Sequence, residues 1–340
     1  MLAPPDWTAA FADRPAFVTL DSHTAGEPTR LLVSGLGELP GATMAERRAR
    51  LMAERDDVRR LLMHEPRGHG GMVGAVLTPP ERADSDFGLI YIDTRRYLYL
   101  CGHATIGAVT ALVEAGALPP KPLYRIDTPS TRLTARATIE GRRVTAVELE
   151  AAWARVHATG VVLEVPGVGP VRVDLVLAGG FFAMVDAPNR DLTAANGAEL
   201  VDVGMRILEA ANAQVQVSDP DLPHVRTVDV VSFHTRERNA IIYGEGHLDR
   251  SPCGTGTCAK LALLHHRGHL DVGRFIENRG PLDTAFVGRV VRTLAVSGGP
   301  AIVPAVRGSA HVTGVHRFVV APDDPFPAGF LVAGVELGSA

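Results

Sequence analysis

Lysine is almost missing from this chain: of 34 basic residues only Lys121 and Lys260 are lysines, and the rest are arginines. A pyridoxal phosphate enzyme needs a lysine for its Schiff base. Lys260 falls inside an apolar helical run and Lys121 in a proline-flanked loop, so that class is set aside. Cysteine is also scarce, with Cys101, Cys253 and Cys258 the full set. An odd, small number argues against a disulfide framework and for reduced thiols in a cytoplasmic protein. No apolar stretch approaches the roughly 18 residues of a membrane span. The segment Met1 to Phe17, interrupted by Pro4, Pro5, Asp6, Asp13, Arg14 and Pro15, has no apolar run of signal-peptide length. No basic field exists either: the net charge is -4, so neither nucleic acid nor a membrane surface is expected as a partner. Disorder is excluded by 46% apolar and 21% charged residues, and 340 residues can form two domains of about 150 residues each.

What is present reads as short β-rich runs between Gly and Pro turns. Strands are expected at 17–20, 29–33, 89–92, 161–165, 171–177, 228–233, 240–243 and 318–320, and helices at 44–63 and 192–214. Two further helices begin at cysteines. Cys101-Gly102-His103-Ala104-Thr105 opens an apolar run that stops at Gly116, and Cys253-Gly254-Thr255-Gly256-Thr257 opens one that stops at Gly268. Both read Cys-Gly-x-x-Thr, 152 positions apart in a 340-residue chain. That is a weak internal repeat, and it predicts two similar domains: residues 1–150 with 312–340, and residues 151–311.

A cysteine at a helix start is a chemical position. First-turn amides are unpaired and carry about half a positive charge, which lowers a thiol pKa and binds a carboxylate. Gly102, Gly254 and Gly256 admit close approach of a ligand to the backbone, and Thr255 and Thr257 add hydroxyl donors. One such cysteine is as readily a packed core thiol. Two of them facing across a domain interface can hold an anion between helix ends and place a thiol on each side of its α-carbon. That arrangement can remove a proton from one face and return one to the other.

The segments Asp21 to Arg30 (DSHTAGEPTR), Glu65 to His69 (EPRGH), Cys101 to Gly107 (CGHATIG) and Asp249 to Thr257 (DRSPCGTGT) resemble the proline racemase family, which includes 4-hydroxyproline 2-epimerases and trans-3-hydroxyproline dehydratases. Asp324-Pro325-Phe326 with Gly329-Phe330 fits that family's C-terminal end, so the resemblance spans nearly the whole chain. It implies an α+β fold of the diaminopimelate-epimerase type: two pseudo-symmetric domains, each with strands wrapped around a central helix and the active site between them. It also implies that Cys101 and Cys253 are the alternating proton acceptor and donor, with no cofactor. Family dehydratases usually keep only one of those cysteines, so the pair favours racemisation or epimerisation. By the same resemblance Gly102, His103, Gly254 and Thr255 hold the substrate carboxylate and its surroundings. Asp249 accepts a hydrogen bond from the ring nitrogen, and His224 contacts the substrate. His23, Glu27, Arg30, Arg67 and His69 are read as organising turns and strands, and Cys258 as a packed thiol whose counterpart in the first helix is Ile106.

Val73, Tyr91 and Tyr243 fall where family members surround the pyrrolidine ring, and proline racemases tend to carry Phe there. The two tyrosines stand ten residues before Cys101 and Cys253. A smaller Val73 leaves room, and a phenol can bond a ring hydroxyl. The expected activity is therefore epimerisation of trans-4-hydroxy-L-proline to cis-4-hydroxy-D-proline. Proline racemisation and trans-3-hydroxy-L-proline dehydration remain alternatives, with an amino-acid-binding protein as the non-enzyme reading. Homodimerisation is left open. No metal is expected, because Cys101-x-His103 and the His265, His266, His269 group lack zinc-site spacing. Gly254-x-Gly256 lacks the remainder of a dinucleotide fingerprint.

Overall fold

The protein is described from a computed structural model over residues 11–223 and 225–332. Its first part runs β1 (Ala16–Thr24), β2 (Glu27–Ser34), α1 (Met44–Glu54), α2 (Asp56–Met63), β3 (Val73–Thr78), β4 (Phe87–Asp93), β5 (Tyr97–Leu98), α3 (Gly102–Glu114), β6 (Leu123–Asp127), β7 (Arg132–Glu140) and β8 (Arg143–Glu150). The second continues β9 (Arg155–Val165), β10 (Gly169–Leu177), β11 (Phe181–Asp186), α4 (Gly197–Gln214), β12 (Val228–His234), β13 (Asn239–Tyr243), β14 (His247–Leu248), α5 (Gly254–His266), β15 (Phe275–Arg279), β16 (Ala285–Val296), β17 (Gly299–Gly308) and β18 (Ala310–Val319).

Two helices organise this mixed α+β architecture. Between His103 and Val113 every residue of α3 is buried and none beyond His103 is charged, so the helix has no face to give to water. It can only be a centre. Strands β1, β2, β3, β7, β8 and β18 wrap it, and Leu20, Leu31, Tyr91, Ile106, Val109 and Leu133 fill the space between. The α5 helix is buried from Gly256 to Leu263 and is wrapped by β9, β10, β11, β13, β16 and β17. Both helices stop as their glycines predict, with Gly116 at φ 76° and Gly268 at φ 72°, in the left-handed region that glycine enters without steric cost. Among the described residues twelve strands form one sheet, in which β17 pairs antiparallel with β8, and six form another in the order β14-β13-β12-β11-β10-β9. α4 packs on the six-stranded sheet, while α1 and α2 cover β4.

All the expected strands form, but two helical expectations are corrected. The run 44–63 is two helices, because Arg55 leaves helical geometry (φ -138°, ψ 33°) and Asp56 and Asp57 start a new first turn. The run from 192 does not start a helix at Leu192. The Asp191 carboxylate accepts the Thr193 amide, a short 3₁₀ turn follows at Ala194–Asn196, and α4 begins at Gly197. No helix among the described residues is long and apolar enough to cross a membrane.

The family-like motifs organise this frame. Arg30 is buried in a fork with the Asp21 carboxylate, donating from Nη2 at 2.9 Å, and it also donates to the carbonyls of Leu62 and Arg67. Arg67 pairs with Asp324, and the Phe330 amide bonds the Glu65 carbonyl at 2.8 Å, docking the C-terminal motif onto the second.

Candidate active site

The starts of α3 and α5 meet head to head. A Cβ placed on Gly102 would lie 3.7 Å from the Cα of Gly254, and one on Gly254 would lie 3.6 Å from the Cα of Gly102, so the two backbones are close neighbours. Each helix has its cysteine at the N-cap. The two helix starts, each with its N-cap cysteine, therefore border one small region, where the first-turn amides of Gly102, His103, Gly254 and Thr255 have no intrahelical partner.

Cys101 is buried, and its Sγ lies 3.4 Å from Nδ1 of His103. Burial disfavours the His103 imidazolium, but Cys101, Glu27 and Asp249 together outweigh it and push His103 up to about 9. Cys253 takes a left-handed backbone (φ 61°), unusual for a side chain with a Cβ. It is held there by several contacts: its amide donates to Ser251 Oγ at 3.0 Å, its carbonyl accepts Thr257 Oγ1 at 2.7 Å, and its Sγ accepts the Gly256 amide at 3.3 Å. Thr255 Oγ1 stands 3.5 Å from the same sulfur. A helix start by itself lowers a thiol pKa. At Cys253 burial, and then the neighbouring Asp249, push the thiol well above its ordinary value, so it is a protonated thiol at neutral pH.

Asp249 is buried, and its Oδ1 accepts both the amide (2.8 Å) and the hydroxyl (2.7 Å) of Ser251. Asp249 is also hydrogen-bonded to the Cys253 side chain, which favours the protonated thiol. Burial and the Glu27 carboxylate raise Asp249 above the ordinary carboxyl range. Val73 is buried beside Cys101 and Tyr91, and with Tyr243 it lines a cleft of about 750 Å³ whose walls include Arg96, His247 and Arg250. His224 lies outside the described residues.

The two tyrosines part company. Thr105 and Thr257 occupy equivalent positions and each donates to the carbonyl of its own cysteine at 2.7 Å. In the first half the Tyr91 hydroxyl lies 2.6 Å from Thr105 Oγ1, inside the core, so this phenol is taken and faces away from the cleft. In the second half Asn278 fills that place, donating Nδ2–H to Thr257 Oγ1 at 2.9 Å. The fully buried Lys260, pushed down to about 7 by burial, donates to Asn278 Oδ1 at 2.8 Å. Tyr243 is thereby released. Its hydroxyl has no partner among the described residues, and burial together with Glu27, Asp249, Cys101 and Cys253 raises it well above the usual phenol range.

Cys258 packs in the core around α5 and is pushed up to about 12 by burial; it and Ile106 line the same small apolar void. Sequence reasoning missed His247, Arg250, Ser251, Lys260 and Asn278 as members of the site's surroundings. Arg250 and Ser251 lie inside the DRSPCGTGT motif and were findable there, whereas Asn278 gives no local signal. No group of three or more His, Cys, Asp or Glu that could hold a metal is present among the described residues.

The electrostatics predict a pH dependence of stability. The folded chain holds the His103 proton more tightly than an unfolded chain does, so this contribution is fully present below about pH 6.5 and is lost as pH rises through about 9. Melting temperature is expected to fall by a few degrees over that interval, and His103→Gln to flatten the fall. Equal slopes for parent and variant contradict the assignment.

The chain resembles known proteins over most of its length. The family model described as proline racemase matches residues 19–331. A 4-hydroxyproline 2-epimerase of Streptosporangium roseum is 40% identical over 327 residues, covering 93% of this chain and 98% of the relative. A proline racemase of Clostridioides difficile is 37% identical over 325 residues, covering 92% and 97%. The crystal structure of a hydroxyproline epimerase from Agrobacterium vitis with bound trans-4-OH-L-proline superposes with a TM-score of 0.84 at 28% identity, covering 94% and 96%.

Proposed function

This chain belongs to the proline racemase family and is an amino-acid isomerase, and on that premise we propose that it inverts the α-carbon of 4-hydroxyproline with the Cys101 and Cys253 thiols and no cofactor. The observation that carries the reading is the head-to-head approach of the two cysteine-capped helix starts. First-turn amides at Gly102, His103, Gly254 and Thr255 receive the substrate carboxylate, and Asp249 Oδ2 accepts from the ring nitrogen. In this scheme Cys101, with His103 Nδ1 3.4 Å from its sulfur, is the starting base and Cys253 starts as the thiol. The thiolate takes the α-proton, the electron pair of the broken C–H bond spreads into the carboxylate held by the helix amides, and the opposite thiol gives its proton to the other face. The two sulfurs then have exchanged states, and the reverse reaction starts from the exchanged pair.

In this reading residues 1–150 with 312–340 form one lobe and residues 151–311 the other, supported by the wrapping of α3 and α5. Three free thiols suit a reducing cytoplasm. The 4-hydroxy substrate is favoured over proline by Val73 and the released Tyr243 at the cleft, and by the relative with the higher identity. Chiral chromatography of incubations with L-proline, trans-4-hydroxy-L-proline and trans-3-hydroxy-L-proline tests it: the 4-hydroxy epimer is the expected main product, and a dehydrated product or no inversion of any substrate contradicts it. Full activity is expected after dialysis against EDTA, in a protein without absorbance above roughly 300 nm, where bound pyridoxal phosphate absorbs. Activity that is lost and then restored by a metal or by pyridoxal phosphate contradicts cofactor independence.

A further inference from the structure

The β1–β2 hairpin tip touches the approaches to both cysteines. Thr24 and Glu27 face each other in register across the turn at Ala25 and Gly26. Thr24 Oγ1 donates to the His103 carbonyl at 2.8 Å, in the first turn of α3. Glu27, with no exposed surface, points the other way and enters the segment that leads into α5. Its Oε2 accepts the Arg250 amide and Nε, each at 2.9 Å, and its Oε1 accepts Arg250 Nη2 at 2.9 Å and lies 3.1 Å from His247 Nε2. Arg250 also donates from Nη2 to the Gly71 carbonyl, in the loop just before Val73. Thr284 Oγ1, ahead of β16, bonds the carbonyl of Ala25 at 2.7 Å.

We propose that Glu27 is a positioning residue for the proton transfers: its carboxylate clamps the Arg250 backbone and guanidinium, and thereby fixes Asp249 and the Cys253 start of α5 relative to the Cys101 start of α3. The inference rests on the thiol-pair reading and adds to it a tether that the sequence alone reads as a turn organiser. A buried carboxylate is costly unless fully paired. Here four contacts pair it, three of them to the residue next to Asp249. The titratable and charged groups facing Glu27 are His247 and Arg250 ahead of α5 and His103 on α3, with Asp249, Tyr243 and His69 also within its field. Burial would raise Glu27, but His247, His103 and Arg250 bring it down to about 2, so it stays a carboxylate at every working pH. The same charge helps keep His103 an imidazolium.

The test compares the parent, Glu27→Gln and Arg250→Lys, all checked for folding by circular dichroism, with two readouts. The first is kcat and KM for 4-hydroxyproline inversion. The second is the His103 imidazole titration in ¹³C-histidine-labelled protein, assigned with His103→Asn, which needs no turnover. Misplacing reacting groups by about 1 Å costs up to roughly 100-fold, so Glu27→Gln is expected to lower kcat about 10- to 100-fold with KM within about threefold, and to lower the His103 midpoint. Arg250→Lys keeps the charge but loses the fork, and the same loss of kcat is expected. A folded Glu27→Gln with parental kcat and His103 midpoint overturns the proposal. If Glu27→Gln does not fold, a parental kcat in Arg250→Lys overturns it. If the parent inverts none of the substrates, the thiol-pair reading fails, and an unchanged His103 midpoint in Glu27→Gln then overturns the tether separately.

Discussion

Replacing either Cys101 or Cys253 by alanine is expected to lower inversion of 4-hydroxyproline by about 10³-fold or more in both directions, within the range general acid–base groups supply. The size follows from the geometry. The two helix starts face each other through Gly102 and Gly254, and each carries its own thiol at the N-cap. His103 touches Cys101 and is held as an imidazolium, so it can support a thiolate but is a weak base itself near neutral pH. On the other side Ser251 and Thr255 are occupied with Asp249 and the Cys253 sulfur, and their hydroxyls titrate far above pH 7. A variant left with one thiol can still remove and return a proton on a single face, so slow α-proton exchange of one epimer is compatible with the scheme while inversion is not. Cys258→Ala is the control: it alters packing around α5 and is expected to leave turnover within about twofold. A Cys101→Ala protein with near-parental inversion contradicts the paired-thiol scheme.

Tyr243→Phe is expected to lower kcat/KM for trans-4-hydroxy-L-proline by about tenfold to hundredfold and to spare L-proline, since a buried polar group left without its partner costs about 1 to 3 kcal/mol. The structure singles out Tyr243 over Tyr91. The Tyr91 hydroxyl is engaged by Thr105 behind α3, whereas Asn278 takes the equivalent contact in the second half, and Tyr243 lines the cleft together with Val73. Tyr91→Phe is therefore expected to act on stability, with a substrate ratio unchanged within about twofold. Val73→Phe fills the added space and is expected to shift the ratio toward proline. Equal kcat/KM for both substrates in the parent protein means that the cleft does not read the hydroxyl, and proline racemisation then replaces the 4-hydroxy assignment.

Much of this was legible because it is written locally. An uncharged run after a cysteine and a glycine stop specify a buried central helix, and the same pattern twice specifies two of them, which is how α3 and α5 were placed within a residue of their observed starts. The strands not expected from the sequence are β3, β5 to β8, β11 and β14 to β17; β3 and β11 are short and buried, while β7, β8 and β16 are rich in Arg, Thr and Glu. Their outer faces are half-exposed, and their pairing with distant partners such as β8 with β17 leaves no local trace. The same limit applied to the site. The cysteines, their glycines, His103 and Asp249 sit in contiguous motifs, so resemblance and helix-start physics both reach them. The inequality of the two tyrosines depends on Asn278, supplied by β15, and the orientation of Glu27 on a contact 223 positions along the chain. Burial also reversed one expectation. A helix start activates a thiol by itself, but desolvation and Asp249 prevail at Cys253 and hold it protonated.

The most direct measurement is incubation of the metal-free protein with trans-4-hydroxy-L-proline in D2O, following the α-proton of substrate and product by NMR at early times. The thiol that protonates the new epimer exchanges with solvent, while the proton taken from the substrate stays on the opposite sulfur. The account predicts cis-4-hydroxy-D-proline deuterated at its α-carbon while the remaining substrate keeps its proton. Deuterium appearing equally in both pools from the start, or binding of the amino acid with no exchange, contradicts it.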